Sequence, residues 1–213
     1  MKILFYGDSI TDTLRDYNAQ GVSRAPESLG YGYVNVIASE LITENPLKYQ
    51  VINTGVSGNK VVDLYARLKG DCWNYSPDLI SILIGVNDVW AQPLLNNGVD
   101  IDRFEQTYRL IIEQTKKALP NVKFILMEPY YQSGTATEEF IEEFKAVKDY
   151  ALVVKKLCKE YDIPFVELQK PLDDYAKKFG KENTLIDGVH PAVAGGTIIA
   201  REWLKVFNKE FRD

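Results

Sequence analysis

The chain contains one histidine, His190, within Leu185-Ile186-Asp187-Gly188-Val189-His190-Pro191. If the protein performs serine-type acyl chemistry near neutral pH, the imidazole base must be this one. Asp187 lies three residues upstream, where a turn can bring its carboxylate to the far ring nitrogen. There it would fix the tautomer and stabilise the imidazolium that forms during reaction. Pro191 disfavours a helical conformation for His190 and itself suits the first position of a helix. A lone loop histidine is more often a surface cap than a base. Three polar turns reverse that balance: Gly7-Asp8-Ser9, Ser57-Gly58-Asn59 and Gly85-Val86-Asn87-Asp88, each following an apolar run. Together they supply a hydroxyl, hydrogen-bond donors and a base with its orienter, the set that acyl transfer needs. Ser9 would attack, and His190 would take its proton and later deliver it to the leaving alcohol. The backbone N–H groups of Ser9 and Gly58 and the Asn87 amide would stabilise the oxyanion, each such donor being worth roughly 3 kcal/mol.

Other residues carry weaker signals. Ser57 is a rival nucleophile, because Gly55-Val56-Ser57-Gly58-Asn59 nearly matches a Gly-x-Ser-x-Gly elbow, with Asn in the fifth place. Asp8 and Asp12 read as turn-forming. Trp90, Tyr130 and Tyr131 follow strand ends and are candidates to stack on a sugar ring, although aromatics at such places are often core. Arg67 and Trp73 are candidates to support the pocket. Cys72 and Cys158 lack metal-ligand spacing and read as packing residues; no metal site and no cofactor are expected.

Positioning these groups requires alternating strands and helices. Apolar runs predict strands at Lys2–Tyr6, Tyr49–Asn53, Leu79–Ile84, Lys123–Met127 and Pro164–Leu168. Helical periodicity covers about 31–44, 61–68, 102–119 and 138–161, then a short helix and a last one from Pro191 to about Lys209. Residues 12–28 read as an inserted surface loop. The alternation predicts an α/β fold, a three-layer α/β/α sandwich on a five-stranded parallel sheet, forming one domain over residues 1–213. In such sheets, ligands bind at the carboxyl ends of the strands.

Composition removes several function classes. A net charge of −5 and the absence of a dense basic run argue against nucleic acid and anionic membrane as partners. No stretch is apolar enough to span a bilayer, and the apolar start is broken at Gly7-Asp8, so a cytoplasmic protein is expected. Whether copies associate into a homo-oligomer is left open.

The four blocks Gly7-Asp8-Ser9-Ile10-Thr11-Asp12, Asn53–Asn59, Gly85-Val86-Asn87-Asp88 and Asp187-Gly188-Val189-His190-Pro191 resemble those of the SGNH (GDSL-like) hydrolases, in that family's order. The resemblance implies Ser9 as nucleophile, Gly58 and Asn87 in the oxyanion hole, and Asp187 with His190 completing the triad. Leu29–Val34, Asn87–Trp90 and His190–Gly195 are similar to the acetylxylan esterase and carbohydrate O-acetyl esterase branch. The chain departs from it at Thr13-Leu14-Arg15, where many relatives of that branch carry a Cys-Gly pair. The implied activity is a serine esterase removing short acyl groups, above all acetyl, from hydroxyls of a saccharide such as a xylo-oligosaccharide. Lysophospholipase, thioesterase and acyltransferase activities are the alternatives within the family. A non-enzymatic flavodoxin-like module, using Gly7–Thr11 as an anion loop, is the alternative outside it. Because only a neutral imidazole accepts a proton, hydrolysis of p-nitrophenyl acetate should fall as the solution is acidified. A rate that stays flat between about pH 5 and 8 would remove histidine as the base.

Overall fold

The computed structural model describes residues 1–21 and 25–212. Five strands, β1 (Lys2–Gly7), β2 (Gln50–Asn53), β3 (Leu79–Leu83), β4 (Lys123–Met127) and β5 (Phe165–Val166), form one parallel sheet in the order β2-β1-β3-β4-β5. Residues Ile3–Tyr6 and Leu79–Leu83 are buried throughout, as expected of strands covered on both faces. The order reverses direction at β1, so the crevice between the ends of β1 and β3 is the switch point where such sheets bind ligands.

Six longer helices cover the sheet: α1 (Tyr33–Glu44), α2 (Val86–Leu95), α3 (Ile101–Ala118), α4 (Val147–Tyr161), α5 (Gln169–Phe179) and α6 (Val193–Phe211). α1 packs on α6, whereas α3 packs on α4 and on the short helix Val61–Ala66, giving the α/β sandwich. Trp203 on α6 anchors one side. It is fully buried, stacks on Phe207, lies 5.2 Å from the Phe5 ring and donates its indole N–H to Ser81 on β3 at 2.9 Å. Cys72 and Cys158 are buried free thiols, and burial pushes each up to about 12, which leaves them unreactive packing groups. Among the described residues no helix is long and apolar enough to cross a membrane.

The departures from sequence expectation have local causes. α2 was hidden by Pro93, a helix breaker that sits near the end of the helix. The stretch expected as one helix over 138–161 is broken: a 3₁₀ turn at Glu138–Phe140 and a helix at Ile141–Phe144 precede α4. Its apolar stripe runs on across the break because Phe144 turns inward between Trp90 and Tyr131, so periodicity alone missed it. β5 is two residues long because the amides of Leu168 and Gln169 turn to the Glu128 carboxylate instead of continuing the ladder. The helix starting at Val61 ends at Ala66, and a second one runs over Leu68–Asp71. The expected loop over 12–28 holds a 3₁₀ turn at Tyr17–Ala19 and a helix at Pro26–Leu29, with residues 22–24 outside the described residues. Replacing Trp203 by Ala should cost about 3–5 kcal/mol of stability in urea denaturation. A loss below about 1 kcal/mol would mean the indole is not a core anchor.

Candidate active site

β1 ends at Gly7, where a side chain has no room: a Cβ would lie 2.4 Å from Thr11 Oγ1 and 2.5 Å from the Leu83 carbonyl. The chain then turns at once into a four-residue helix, Ser9–Asp12, capped by the Asp8 carboxylate accepting from the Ile10 N–H at 2.9 Å. This capped turn presents Ser9 at the strand end. Its Oγ lies 2.9 Å from His190 Nε2, and His190 Nδ1 lies 2.6 Å from Asp187 Oδ2. The other Asp187 oxygen accepts from the amides of Val189 (2.9 Å) and His190 (2.8 Å). Partial burial raises the Asp187 pKa, but these amides and the imidazole outweigh it, holding the carboxyl below the usual carboxylate value. The loop is closed by a bridge between Leu185 and Pro191, and by the Ile186 N–H donating to the His190 carbonyl. Pro191 therefore belongs to the bridge, and α6 begins two residues later than expected.

A clamp unseen in the sequence holds this loop. The amide of Gln132 donates to the Gly188 carbonyl at 2.8 Å, and that of Ala136 to the Asp187 carbonyl at 2.9 Å. Buried Thr137 ties the clamp together, donating to the Gln132 carbonyl at 2.6 Å and accepting from the Gly134 amide at 2.8 Å. Gly134 and Gly188 are both required by contact, since a Cβ on either would fall about 2.5 Å from backbone of the other segment.

The second turn carries Gly58 in the left-handed region, at φ +80°, with open space around it. Asn87 reaches this turn and donates one amide hydrogen to the Asn59 carbonyl at 3.0 Å, leaving the second free. Ser57 is not paired with the imidazole. Its Oγ donates to Asp12 Oδ2 at 2.6 Å, and its amide donates to the same oxygen at 3.0 Å. Tyr17 donates to that oxygen at 2.7 Å. Asp12, read from sequence as a turn former, thus ties the Ser9–Asp12 helix to the Gly58 turn.

The expected substrate contacts are redistributed. Tyr130 is fully buried and offers no ring face to a solute, whereas Tyr131, nearly buried and packed against Phe144, borders a cleft that it shares with Gln132, Lys148 and Gln169. Trp73 donates its indole N–H to Thr115 on α3, away from the Ser9–His190 pair. Arg67 braces the turns from behind. It bonds the carbonyls of Gly7 and Thr54, the Asn59 side chain and Asp71, and lies 4.3 Å over the Tyr6 ring. Only Trp90 stands beside the site, its ring centre 6.3 Å from that of His190.

Serine, imidazole and carboxylate are thus in hydrogen-bond contact at the switch point of a parallel α/β sandwich, the equipment of an ester hydrolase. Residues 5–198 match the model of the GDSL-like lipase/acylhydrolase family. An acetylxylan esterase from Geobacillus stearothermophilus is 36% identical over 99% of this chain and 95% of its own length. Its crystal structure superposes with a TM-score of 0.84 at 38% identity, covering 96% of this chain and 92% of the other. Three further structures of that enzyme are described as catalytic mutants and replace a serine, an aspartate and a histidine. A protein of Parabacteroides merdae described as a GDSL-like lipase superposes with a TM-score of 0.89 at 34% identity, over 96% of this chain and 94% of its own. The chain belongs to the GDSL-like lipase/acylhydrolase family, and it is a carboxylic ester hydrolase.

Two buried carboxyls behind the turns set a pH dependence of stability. Burial pushes Asp8 up to about 7, against the Ile10 amide and the nearby imidazole, which lower it. Burial likewise pushes Asp88 up to about 7; the Val61 amide opposes this and the Asp8 charge adds to it. The folded protein therefore keeps protons there that the unfolded chain releases near the ordinary value of 3.8. The proton excess of the folded state makes stability fall as pH rises from about 4 to about 7. Asp88→Asn should flatten that slope by one group's share in urea titrations across the window. An unchanged slope would mean that Asp88 is ionised in the fold throughout.

Proposed function

We propose that the enzyme removes acetyl groups from hydroxyls of a saccharide, such as a xylo-oligosaccharide, through an acyl-serine intermediate. The observation that carries this reading is the continuous chain from Ser9 Oγ through His190 to Asp187, at 2.9 and 2.6 Å. His190 Nε2 takes the Ser9 proton as Oγ attacks the acetyl carbonyl carbon. Asp187, held ionised by its amide donors, stabilises the imidazolium. The amides of Ser9 and Gly58 and the free Asn87 amide hydrogen receive the tetrahedral oxyanion. The C–O bond to the sugar then breaks, and His190 gives its proton to the departing oxygen. Water repeats the sequence on the acyl-serine and releases acetate. The choice of acetyl and of a sugar is supported by the similarity to the acetylxylan esterase. A reducing, cytoplasmic setting is part of the same reading and suits two buried free thiols.

Ser9→Ala and His190→Ala should each cut turnover by several orders of magnitude while the protein keeps its fold. Asn87→Ala should lower kcat by about 10²–10³. Near-full activity in either of the first two variants would require another nucleophile or base. The substrate is tested by assaying acetylated xylo-oligosaccharides beside p-nitrophenyl esters of graded chain length. Preference for long acyl chains, with no release of acetate from the oligosaccharides, would replace this reading with a lipid acylhydrolase.

A further inference from the structure

A cleft of about 460 Å³ opens at Ser9 and His190 and runs on over Pro191, Ala192 and Val193. Gly58 and Asn87, the oxyanion donors of the proposed mechanism, do not line it. That asymmetry fixes which half of an ester the cleft receives. The leaving oxygen must sit beside His190 Nε2 to be protonated, so the alcohol lies on the histidine side of Ser9 and the acyl group on the other. We infer that this cleft is the alcohol subsite, and that Leu14 and Tyr31 are specificity-determining residues that hold the apolar face of an uncharged sugar ring. The inference rests on the acyl-serine reading above.

The lining decides the chemical class. Among the described residues no Asp, Glu, Lys or Arg borders the cleft; its polar side chains besides His190 are hydroxyls, among them Thr13 and Thr197. A phosphorylated or carboxylated alcohol would find no countercharge there. A neutral sugar has hydroxyls at its edge and a C–H face that gains by covering apolar surface. The cleft offers such a surface: Leu14 is 84% exposed, Tyr31 83% and Val193 91%.

The backbone beneath the two residues is strained and rigid. Thr13 and Leu14 both lie in the left-handed region, at φ +42° and +60°, a conformation that disfavours any residue with a Cβ. The Thr13 carbonyl accepts from the Tyr31 amide at 2.9 Å. Gly30 and Gly32 press so closely on this segment that a Cβ on Gly30 would lie 2.4 Å from the Asp12 carbonyl, and one on Gly32 2.5 Å from Thr13 Cγ2. Leu14 and Tyr31 therefore ride on one locked unit. The left-handed turn itself caps the Ser9–Asp12 helix and leads to Arg15, which is buried and donates to the Gly55 carbonyl at 2.8 Å, but the Leu14 side chain, 84% exposed, adds almost no packing to it. A leucine kept at a φ that favours glycine, with no packing in return and beside the proposed nucleophile, points to a functional contact. Leu14 also stands where the sequence departs from the esterase branch it resembles.

The test uses the full chain, wild type and the variants Leu14→Gly, Tyr31→Ala and Tyr31→Phe. Acetylated xylobiose and ethyl acetate share the acyl group and differ in the alcohol. The ratio of kcat/KM for the first over the second should drop roughly tenfold or more in Leu14→Gly and Tyr31→Ala, mainly through KM. Tyr31→Phe should keep the wild-type ratio, because the ring face and not the hydroxyl makes the contact. The preference for p-nitrophenyl acetate over p-nitrophenyl butyrate should not move. Leu14→Gly should melt no lower than wild type, since glycine relieves the strained φ. The inference is overturned if the ratio is unchanged, if the acyl-length preference shifts instead, or if the variants change only the oligomeric state in size-exclusion chromatography. Retention of turnover in Ser9→Ala is a separate result; it would remove the acyl-serine mechanism itself.

Discussion

The site depends on one close approach, at Gly7. Its missing side chain lets the end of β1, the start of the Ser9–Asp12 helix and the Leu83 carbonyl meet within a distance no other residue permits. Its carbonyl then accepts from both the Val56 amide and Arg67, which bring the Gly58 turn to the same point. Three turns from three strands converge on a residue that contributes only backbone. The turn that carries Ser9, the turn that carries Gly58 and the end of β3 meet because of that convergence, and any Cβ at position 7 would push them apart.

Buried carboxylates complete what the close approach begins. Asp8 caps the Ser9–Asp12 helix, Asp12 joins that helix to the Gly58 turn through Ser57, and Asp88 holds the Val61 amide at the start of the following helix. Each is almost wholly buried, where a hydrogen bond is strong and an unmet polar atom is costly. The protein accepts that cost at three positions around one hydroxyl. Arg15 offsets part of it at Asp12, its Nε lying 4.0 Å from Asp12 Oδ1. Rigidity comes from polar bonds on this edge of the sheet, and from apolar packing around Trp203 elsewhere.

The opposite wall is built differently. The Asp187–His190 turn is locally self-sufficient, since Asp187 bonds two amides and a ring within three residues of itself. Its place relative to Ser9 is set from outside, by the Gln132–Thr137 clamp and by the bridge that leads into α6. The two halves of the site thus rest on separate supports: glycine contact and buried carboxylates on one side, backbone bonds from a loop after β4 on the other.

What the sequence determined by itself was everything of short range and everything marked by scarcity. The only imidazole, its carboxylate three residues away, the glycines at strand ends and the apolar runs of β1 to β4 are readable because each is written within a few adjacent residues. The tertiary structure decided what depends on distant neighbours. Asp12 meets Ser57 across 45 positions and Gln132 meets Gly188 across a longer gap, and no periodicity records such pairs. Burial of Tyr130 and Tyr131, exposure of Leu14 and Tyr31, and the break before α4 follow from which surfaces are covered once the layers pack. A side chain's type is fixed by its codon, but the solvent it meets is fixed only by the rest of the fold.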